Sequence, residues 1–282
     1  MNLIINIIIS LVSLLPRSWN LFIGRQMGTL IYLMGLRKKV ATINMKIAFP
    51  NLNKFDLEIL LLKSYRHFGM VFIDFINQSN LNQDNISNTI LLRPKDKNIL
   101  QSADGGVIMS AHFGNWEAVL AAMGLNNIKM ETVIREQKNS HANNYYTKLR
   151  SFPNISLIWK KDALQSLYDA ISNKEFIGLA SDQNARTKGV FIPFFSKKAS
   201  FPKGSGIFYS RTQCELFIVL CIMGTDYKYH TFVKSISSDK TNESDIVKDI
   251  TEKYVRILEQ KIKQNPHQYF WFHKKWDKNI YK

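Results

Sequence analysis

A histidine and a carboxylate stand close together in the stretch IMSAHFGNWEAV, residues 108–119, where His112 precedes Glu117 by five positions. A carboxylate bonded to one imidazole nitrogen fixes the tautomer and stabilises the imidazolium, so the other nitrogen can take a proton. Such a pair could deprotonate a hydroxyl for attack on an acyl carbonyl. Because no G-x-S-x-G serine motif occurs, the attacking oxygen is expected to belong to the substrate.

The turn that carries the pair decides whether the two side chains can meet, since in one helix they would lie about 140° apart. The run GVIMSA at 106–111 predicts a strand that ends just before the histidine, and Gly114 permits a tight turn. Asn115 is then placed to cap a helix beginning near Trp116, with Glu117 in its first turn. Backbone N–H groups at that helix start could also face an oxyanion or a phosphate.

Five further β-like runs alternate with helical patterns along the chain. The predicted strands cover 130–134, 155–159, 176–181, 215–223 and 229–236, and the predicted helices cover about 54–76, 162–173 with Asp162 as N-cap, and 243–264. The alternation predicts an α/β fold: a single domain with a central, mostly parallel sheet flanked by helices. Chemistry in such folds gathers at the carboxyl ends of strands, which is where His112 falls.

The net charge points to an anionic partner. The 282 residues include 38 Lys+Arg against 22 Asp+Glu, a formal charge of +16. The positive charge could attract a nucleic acid, an anionic membrane or an acidic protein. Nucleic acid is the weakest of these, because the cations are spread along the chain and no zinc-finger, RNA-recognition or homeodomain pattern occurs.

The first residues favour the membrane. Apolar runs occupy residues 2–15 and 21–36, but neither offers the ~20 uncharged residues of a spanning helix. A basic cluster follows at 37–39, and no acidic residue appears before position 56. We predict an N-terminal helical membrane anchor over 1–36, lying in or dipping into an anionic membrane face, and a catalytic domain over 37–282. The alternative is a buried N-terminal helix pair.

Other residues with chemical potential carry weaker signals. The remaining histidines and the two cysteines lack metal-ligand spacing, so no metal site is predicted. Cys214 and Cys221 lie in an apolar stretch, where buried thiols are expected. Near the end, Trp271 and Trp276 flank Lys275, a pattern that fits either a membrane-interface edge or a segment packed on the core.

Several blocks together resemble a known family. AHFGNWE resembles the H-x4-[DE] motif of glycerolipid acyltransferases, within the lysophospholipid acyltransferase superfamily. With four more blocks it resembles the bacterial lipid A biosynthesis (late) acyltransferases. Those blocks are RKKVATINMKIAFPNL, TVIREQKNSHANNYYTKLR, GLASDQNARTKGVFIPFFSKKAS and PHQYFWFHKKW, in the expected order and covering nearly the whole chain.

The resemblance implies a reaction, a location and a set of residues. It implies transfer of a fatty acyl chain from an acyl carrier protein thioester, or acyl-CoA, to a hydroxyl of an acylated lipid A precursor in lipopolysaccharide biosynthesis. It implies the cytoplasmic face of the bacterial inner membrane and no cofactor. By position, His112 is the general base and Glu117 orients it. The residues expected to bind substrate are Arg135, Arg150, Asp182 and Gln183, with Asn115 beside the catalytic pair.

Two departures limit what the resemblance implies. Ser196 stands where a glycine commonly follows the Pro-Phe-Phe element, and SFPKGSG at 200–206 replaces a small, Thr-rich run. Acyl-chain length is therefore not inferred. Two alternatives stay open: an acyltransferase for another membrane lipid, such as a glycolipid, ornithine lipid or lysophospholipid, and a non-catalytic basic protein that binds membrane or nucleic acid.

Overall fold

A seven-stranded sheet forms the centre of the computed structural model, which describes residues 14–134, 136, 139–159 and 163–282. In chain order the strands are β1 (Ile90–Leu91), β2 (Gly106–Ser110), β3 (Met130–Ile134), β4 (Ile155–Trp159), β5 (Phe176–Ala180), β6 (Val190–Phe194), β7 (Lys197–Phe201), β8 (Leu216–Met223) and β9 (Tyr229–Ser235). The sheet order is β1-β9-β8-β2-β5-β3-β4, and β6 and β7 form a separate antiparallel hairpin.

The predicted α/β fold with a mostly parallel sheet is confirmed. From β8 to β4 all neighbouring strands are parallel, whereas β9 runs antiparallel to β8 and pairs in parallel with β1. All six predicted strands are present within a residue of their predicted bounds. The two-residue β1 and the β6–β7 hairpin were not predicted, because their short runs carry little periodicity.

Helices lie between most strands. They are α1 (Arg17–Leu33), α2 (Lys38–Ala48), α3 (Lys54–Asn77), α4 (Pro94–Ser102), α5 (Ala118–Gly124), α6 (Ser140–Arg150), α7 (Ala163–Ser172), α8 (Gly204–Thr212) and α9 (Glu243–Gln264). The three predicted helices correspond to α3, α7 and α9. Asp162, the predicted N-cap of α7, lies outside the described residues.

The central strands are buried on both faces. In β2, Val107 and Met109 belong to the apolar cluster that includes Ile250 and Leu258 of α9. Ile108, between them, belongs to the cluster around α5 on the opposite face. This alternation follows from the two-residue period of a strand. Burying each such side chain contributes about 1.5–3 kcal/mol, so helices on both faces hold the strand in register.

The two longest helices of the N-terminal half touch through their backbones. A Cβ atom at Gly24 of α1 would lie 2.6 Å from the carbonyl oxygen of Gly69 in α3, and one at Gly28 would lie 2.2 Å from that of Tyr65. Only glycine permits this approach. Arg17 of α1 also makes a bidentate ion pair with the buried Asp74 of α3.

The expected membrane anchor stays a prediction. No helix within the described part of the chain is long and apolar enough to cross a bilayer. Of the first apolar run, residues 14 and 15 alone are described, whereas the second run lies in α1 and the turn after it. On one side α1 packs against α3 and buries Leu21, as the alternative of a helix pair expects, but much of its other side is exposed.

The C-terminal segment is packed on the core. Trp271 and Trp276 are 0% and 1% exposed, and the Lys275 side chain between them is fully buried. Asn44 of α2 fixes the segment by donating from Nδ2 to the carbonyl oxygens of Trp271 and His273, at 2.6 and 2.8 Å. A membrane-interface edge at these tryptophans, one of the two expectations, is therefore wrong.

Candidate active site

His112 occupies the loop that leaves β2, as predicted. Gly114 has φ +61°, and a Cβ atom there would lie 2.0 Å from the carbonyl oxygen of Cys221, so the turn requires glycine. That carbonyl accepts from the Asn115 N–H at 2.9 Å, which fixes the loop against β8. The Asn115 side chain accepts from the N–H of Ala118 at 3.2 Å. Helix α5 thus begins at Ala118, two residues later than predicted, and Glu117 precedes the helix instead of lying in its first turn.

Asp182 is the carboxylate that contacts His112. The imidazole Nδ1 lies 2.8 Å from Asp182 Oδ1, and the two side chains are 17% and 0% exposed. Burial alone disfavours a charged ring, but the charge of Asp182 and its hydrogen bond outweigh burial and raise the pKa of His112 above its ordinary 6.5. Burial also disfavours the Asp182 carboxylate, yet His112 lowers the pKa of Asp182 below its ordinary 3.8.

The strand register explains why these two residues meet. Strands β2 and β5 are parallel neighbours in which Ser110 pairs with Ala180. His112 and Asp182 each stand two residues beyond that pair, so they leave the sheet side by side. The sequence holds this signal in the two seven-residue runs GVIMSAH and FIGLASD, read in parallel. Sequence reasoning missed it because it assigned Asp182 to the substrate and Glu117 to the histidine.

The predicted contact between Glu117 and His112 is absent from the structure, while the catalytic role of Glu117 stays a prediction. Both carboxylate oxygens of Glu117 accept instead from Arg150, at 2.7 Å from Nε and 2.6 Å from Nη2. The indole N–H of Trp116 also donates to Glu117, at 3.2 Å. Glu117 still favours the protonated ring of His112 through its charge, as the weakest of the contributions to that pKa.

The position and shape of the Arg150 side chain explain why it pairs with Glu117. It ends α6, and its planar guanidinium matches the two oxygens of a carboxylate in a fork. The guanidinium carbon also lies 5.5 Å from the ring centre of Phe75 and 5.7 Å from that of Tyr146, contacts that favour a cation. Arg150 therefore lies beside the site, as predicted, with Glu117 as its main partner.

The other predicted residues fall in different places. Gln183 lies at the site, with its amide nitrogen 3.2 Å from Nε2 of His112. Asn115 is buried and uses its side-chain oxygen to start α5. Arg135 lies outside the described residues. The roles of these residues toward substrate stay predictions.

A cavity of about 230 Å³ opens beneath His112. Polar side chains of Ser110, His112, Glu117, Thr132 and Arg150 line part of it, and apolar side chains from β2, α5, β3 and β5 line the rest. The apolar side chains include Ile108, Val119, Leu120, Met130, Val133, Ile134 and Leu179. A hydrocarbon chain could lie in such a cavity with a reactive head group near the imidazole.

The C-terminal segment fixes the loop that carries Asp182. Lys275 Nζ donates to the carbonyl oxygens of Asp182 and Ser200, at 2.7 and 2.9 Å. Burial lowers the pKa of Lys275 to about 7, against the attraction of the Asp182 carboxylate. Asn184 Nδ2 donates to the carbonyl oxygens of Lys274 and Trp276, at 3.3 and 3.1 Å. Both neighbours of Gln183 are therefore held by the C-terminal segment.

The described residues offer little support for a metal site or for thiol chemistry. In the part of the chain that the structure describes, no group of three or more His, Cys, Asp or Glu side chains is placed to hold a metal ion. Cys221 is buried, Cys214 is half-buried, and neither forms a disulfide. The expectation of a reaction without metal or cofactor stays a prediction.

The fold and the site define an α/β enzyme with a histidine–carboxylate pair beside a partly apolar cavity. The sequence matches the family of bacterial lipid A biosynthesis acyltransferases over residues 1–278, and the chain belongs to that family. It is 24% identical over 249 residues to a lipid A biosynthesis acyltransferase of Haemophilus influenzae, covering 85% of this chain and 77% of that protein. The resemblance seen in the sequence is confirmed, and the chain is an acyltransferase of lipid A biosynthesis.

Proposed function

We propose that the protein transfers a fatty acyl chain from a thioester, carried by acyl carrier protein or coenzyme A, to a hydroxyl of an acylated lipid A precursor. The observation that supports this proposal most strongly is the His112–Asp182 pair, whose imidazole lines a partly apolar cavity. The cavity suits the hydrocarbon chain, and the pair suits removal of a proton from a hydroxyl.

The proposed chemistry runs through Nε2 of His112. Because Nδ1 donates its hydrogen to Asp182, Nε2 carries the lone pair that accepts the hydroxyl proton. The hydroxyl oxygen attacks the thioester carbonyl, and Asp182 stabilises the imidazolium that forms. When the C–S bond breaks, the imidazolium returns the proton to the leaving sulfur.

Glu117 and Arg150 have a different part in this proposal. Both line the cavity, and their bidentate pair leaves neither of them in contact with the imidazole. We assign them to shaping the cavity wall between the start of α5 and the end of α6. Because its nearest partner is Glu117, Arg150 is a weaker candidate for binding a substrate phosphate than the sequence predicts.

The proposed location is the cytoplasmic face of the inner membrane. Large apolar side chains are more than half exposed along α1, the turn after it and the start of α3. They are Trp19, Phe22, Leu30, Leu33, Met34, Leu36 and Phe55. An apolar surface of this kind next to the basic residues 37–39 suits the headgroup region of an anionic bilayer.

Flotation with phosphatidylglycerol-containing vesicles tests this surface. Replacing Trp19 and Phe22 together by glutamate should weaken binding at least about tenfold, because two aromatic side chains no longer enter the interface. The matched control is Phe191→Glu, an aromatic residue 49% exposed on β6, which should bind as the native protein does. Equal binding by all three proteins would count against the proposed surface.

Mass spectrometry of lipids tests the reaction itself. A strain that lacks the gene should lose one acyl mass from its lipid A, and the native gene should restore it where His112→Ala should not. Unchanged lipid A with loss of another acylated lipid would assign the enzyme to that lipid instead. Purified protein offered acyl thioesters of both carriers in competition would identify the donor.

A further inference from the structure

Gln183 occupies the position that the acceptor hydroxyl must take. Its amide nitrogen lies 3.2 Å from Nε2 of His112, the nitrogen turned away from Asp182. With Nδ1–H donating to Asp182, Nε2 accepts a hydrogen bond from the Gln183 amide. An incoming hydroxyl has to displace this amide, and the displaced N–H group then lies one hydrogen-bond length from the reacting atoms.

We propose that the Gln183 carboxamide is a catalytic residue, which donates a hydrogen bond to the thioester carbonyl oxygen as negative charge develops there. This inference rests on the proposed acyl transfer and adds a residue to it. In the free enzyme the Gln183 amide is hydrogen-bonded to the imidazole of His112. In the reacting complex the hydroxyl takes its place and the amide turns to the adjacent oxyanion.

Four other side-chain N–H donors around the site have partners already. Among the described residues, Arg150 and the Trp116 indole donate to Glu117. Lys275 donates to two backbone carbonyls, as does Asn184. By contrast, the one hydrogen bond of the Gln183 side chain is the one that the substrate must break.

The backbone on both sides of Gln183 is fixed, which an oxyanion donor requires. The Asp182 carbonyl accepts from buried Lys275, and the Asn184 side chain is tied to the C-terminal segment. The Gln183 residue is itself exposed, so its side chain can rotate while its Cα stays in place. A fixed backbone limits the reorganisation needed when charge develops.

The atoms of the step balance with this donor. The hydroxyl proton passes to Nε2 of His112 as the C–O bond forms, and the carbonyl π electrons move to the oxygen that accepts from Gln183. Collapse of this intermediate reforms the carbonyl and breaks the C–S bond. The proton on Nε2 then goes to the sulfur, and Gln183 returns to the imidazole.

Steady-state kinetics of Gln183→Met and Gln183→Glu test the assignment, with an acyl carrier protein thioester and a synthetic acylated lipid A precursor as substrates. Both variants keep the side-chain length and lose the N–H donor. Removing one oxyanion donor should lower kcat by about 10²–10³-fold, with KM for either substrate little changed. Gln101→Glu, an exposed glutamine near the amino end of β2, is the matched control and should keep native kcat.

The pH dependence of kcat/KM supplies a second readout, which would not change if Gln183 had only a structural role. The Gln183 amide donates to the neutral imidazole and favours it, so its removal should raise the acid-limb pKa of kcat/KM. The rise should be larger for Gln183→Glu, since a carboxylate beside the ring favours the imidazolium.

Three outcomes are distinguishable once thermal unfolding shows that each variant folds. Loss of kcat together with the pKa rise supports the assignment. If Gln183→Met keeps kcat within threefold of native, or loses activity through KM alone, the assignment is wrong while an inactive His112→Ala leaves the proposed function intact. If His112→Ala is itself active, the proposed function fails.

Discussion

Two ion pairs lie beside the same cavity and use similar groups for different ends. The His112–Asp182 pair joins the ends of β2 and β5 across 70 positions of sequence, with the carboxylate 0% exposed. The Glu117–Arg150 pair joins the residue before α5 to the end of α6 across 33 positions, with the carboxylate 11% exposed. Glu117 is nearer to His112 in the chain, yet Asp182 is its partner. Register, and not proximity in the chain, decides which carboxylate contacts His112.

Loss of the imidazole should have the largest effect on turnover. His112→Ala is expected to lower kcat by about 10⁴-fold, at the upper end of what general base catalysis contributes. Single-turnover assays with purified protein measure this. Circular dichroism should show native secondary structure, since His112 is in a loop outside the apolar clusters. Retention of a tenth of native kcat would remove the base from the mechanism.

Asp182→Asn should come next, with a loss of about 10³-fold in kcat, because an amide no longer selects the tautomer or stabilises the imidazolium. It should also move the pH profile. The base works as neutral imidazole, so native kcat/KM should fall as pH drops through a pKa above 6.5. Without the carboxylate, burial is the largest influence left on the ring and lowers the pKa of His112, so the acid limb should shift to lower pH. If the acid limb of kcat/KM stayed at its native pH, Asp182 would not be the carboxylate that sets the pKa of His112.

Glu117→Gln should have a smaller effect on turnover, no more than about tenfold, or about 1.4 kcal/mol of barrier. Its carboxylate touches Arg150, so the main loss should be about 2 kcal/mol of unfolding free energy, from an unpaired guanidinium. Urea denaturation and a double-mutant cycle with Arg150→Met measure the coupling. A loss as large as that of Asp182→Asn, with the same shift in pH profile, would restore the His–Glu dyad.

A third pair far from the chemistry sharpens the comparison. Asp74 accepts from Arg17 Nε and Nη2 at 3.1 and 2.8 Å, and from the Tyr229 hydroxyl at 2.8 Å. Asp74→Asn should lower the free energy of unfolding by about 2–3 kcal/mol, because a buried charged network loses its acceptor. At temperatures below the unfolding midpoint of this variant, its kcat should equal the native value. A tenfold fall in kcat would show that ion pairs in this fold affect the site without touching it.

The sequence predicted elements better than contacts. GVIMSA and FIGLAS are apolar runs with clear ends, so both strands and the loop position of His112 could be inferred. Which strands are neighbours is a non-local property, and β2 lies beside β5 and β8, which are distant in sequence. The partner of His112 therefore needed the structure. The helix after the loop was predicted because Gly114 and Asn115 carry their turn chemistry locally.

The C-terminal segment shows the opposite difficulty. Aromatic residues beside lysines are typical of both a membrane interface and a packed edge, and composition does not separate the two. Lys275 is buried because two carbonyl oxygens accept from it, and the Phe201 ring lies 3.3 Å from its nitrogen. Those acceptors lie 75 and 93 positions away in the chain, beyond the reach of any local pattern.

The glycine contacts between α1 and α3 have a mechanical consequence. Two helices that meet backbone to backbone at Gly24, Gly28 and Gly69 have no layer of side chains between them to compress or shear. The exposed apolar side of α1 thus keeps a constant angle and distance to the domain that carries His112. On a bilayer, the reactive nitrogen would stand at one height above the headgroups, unlike an enzyme on a flexible tether. Lipids whose hydroxyl cannot reach that height would be excluded before any contact with the cavity.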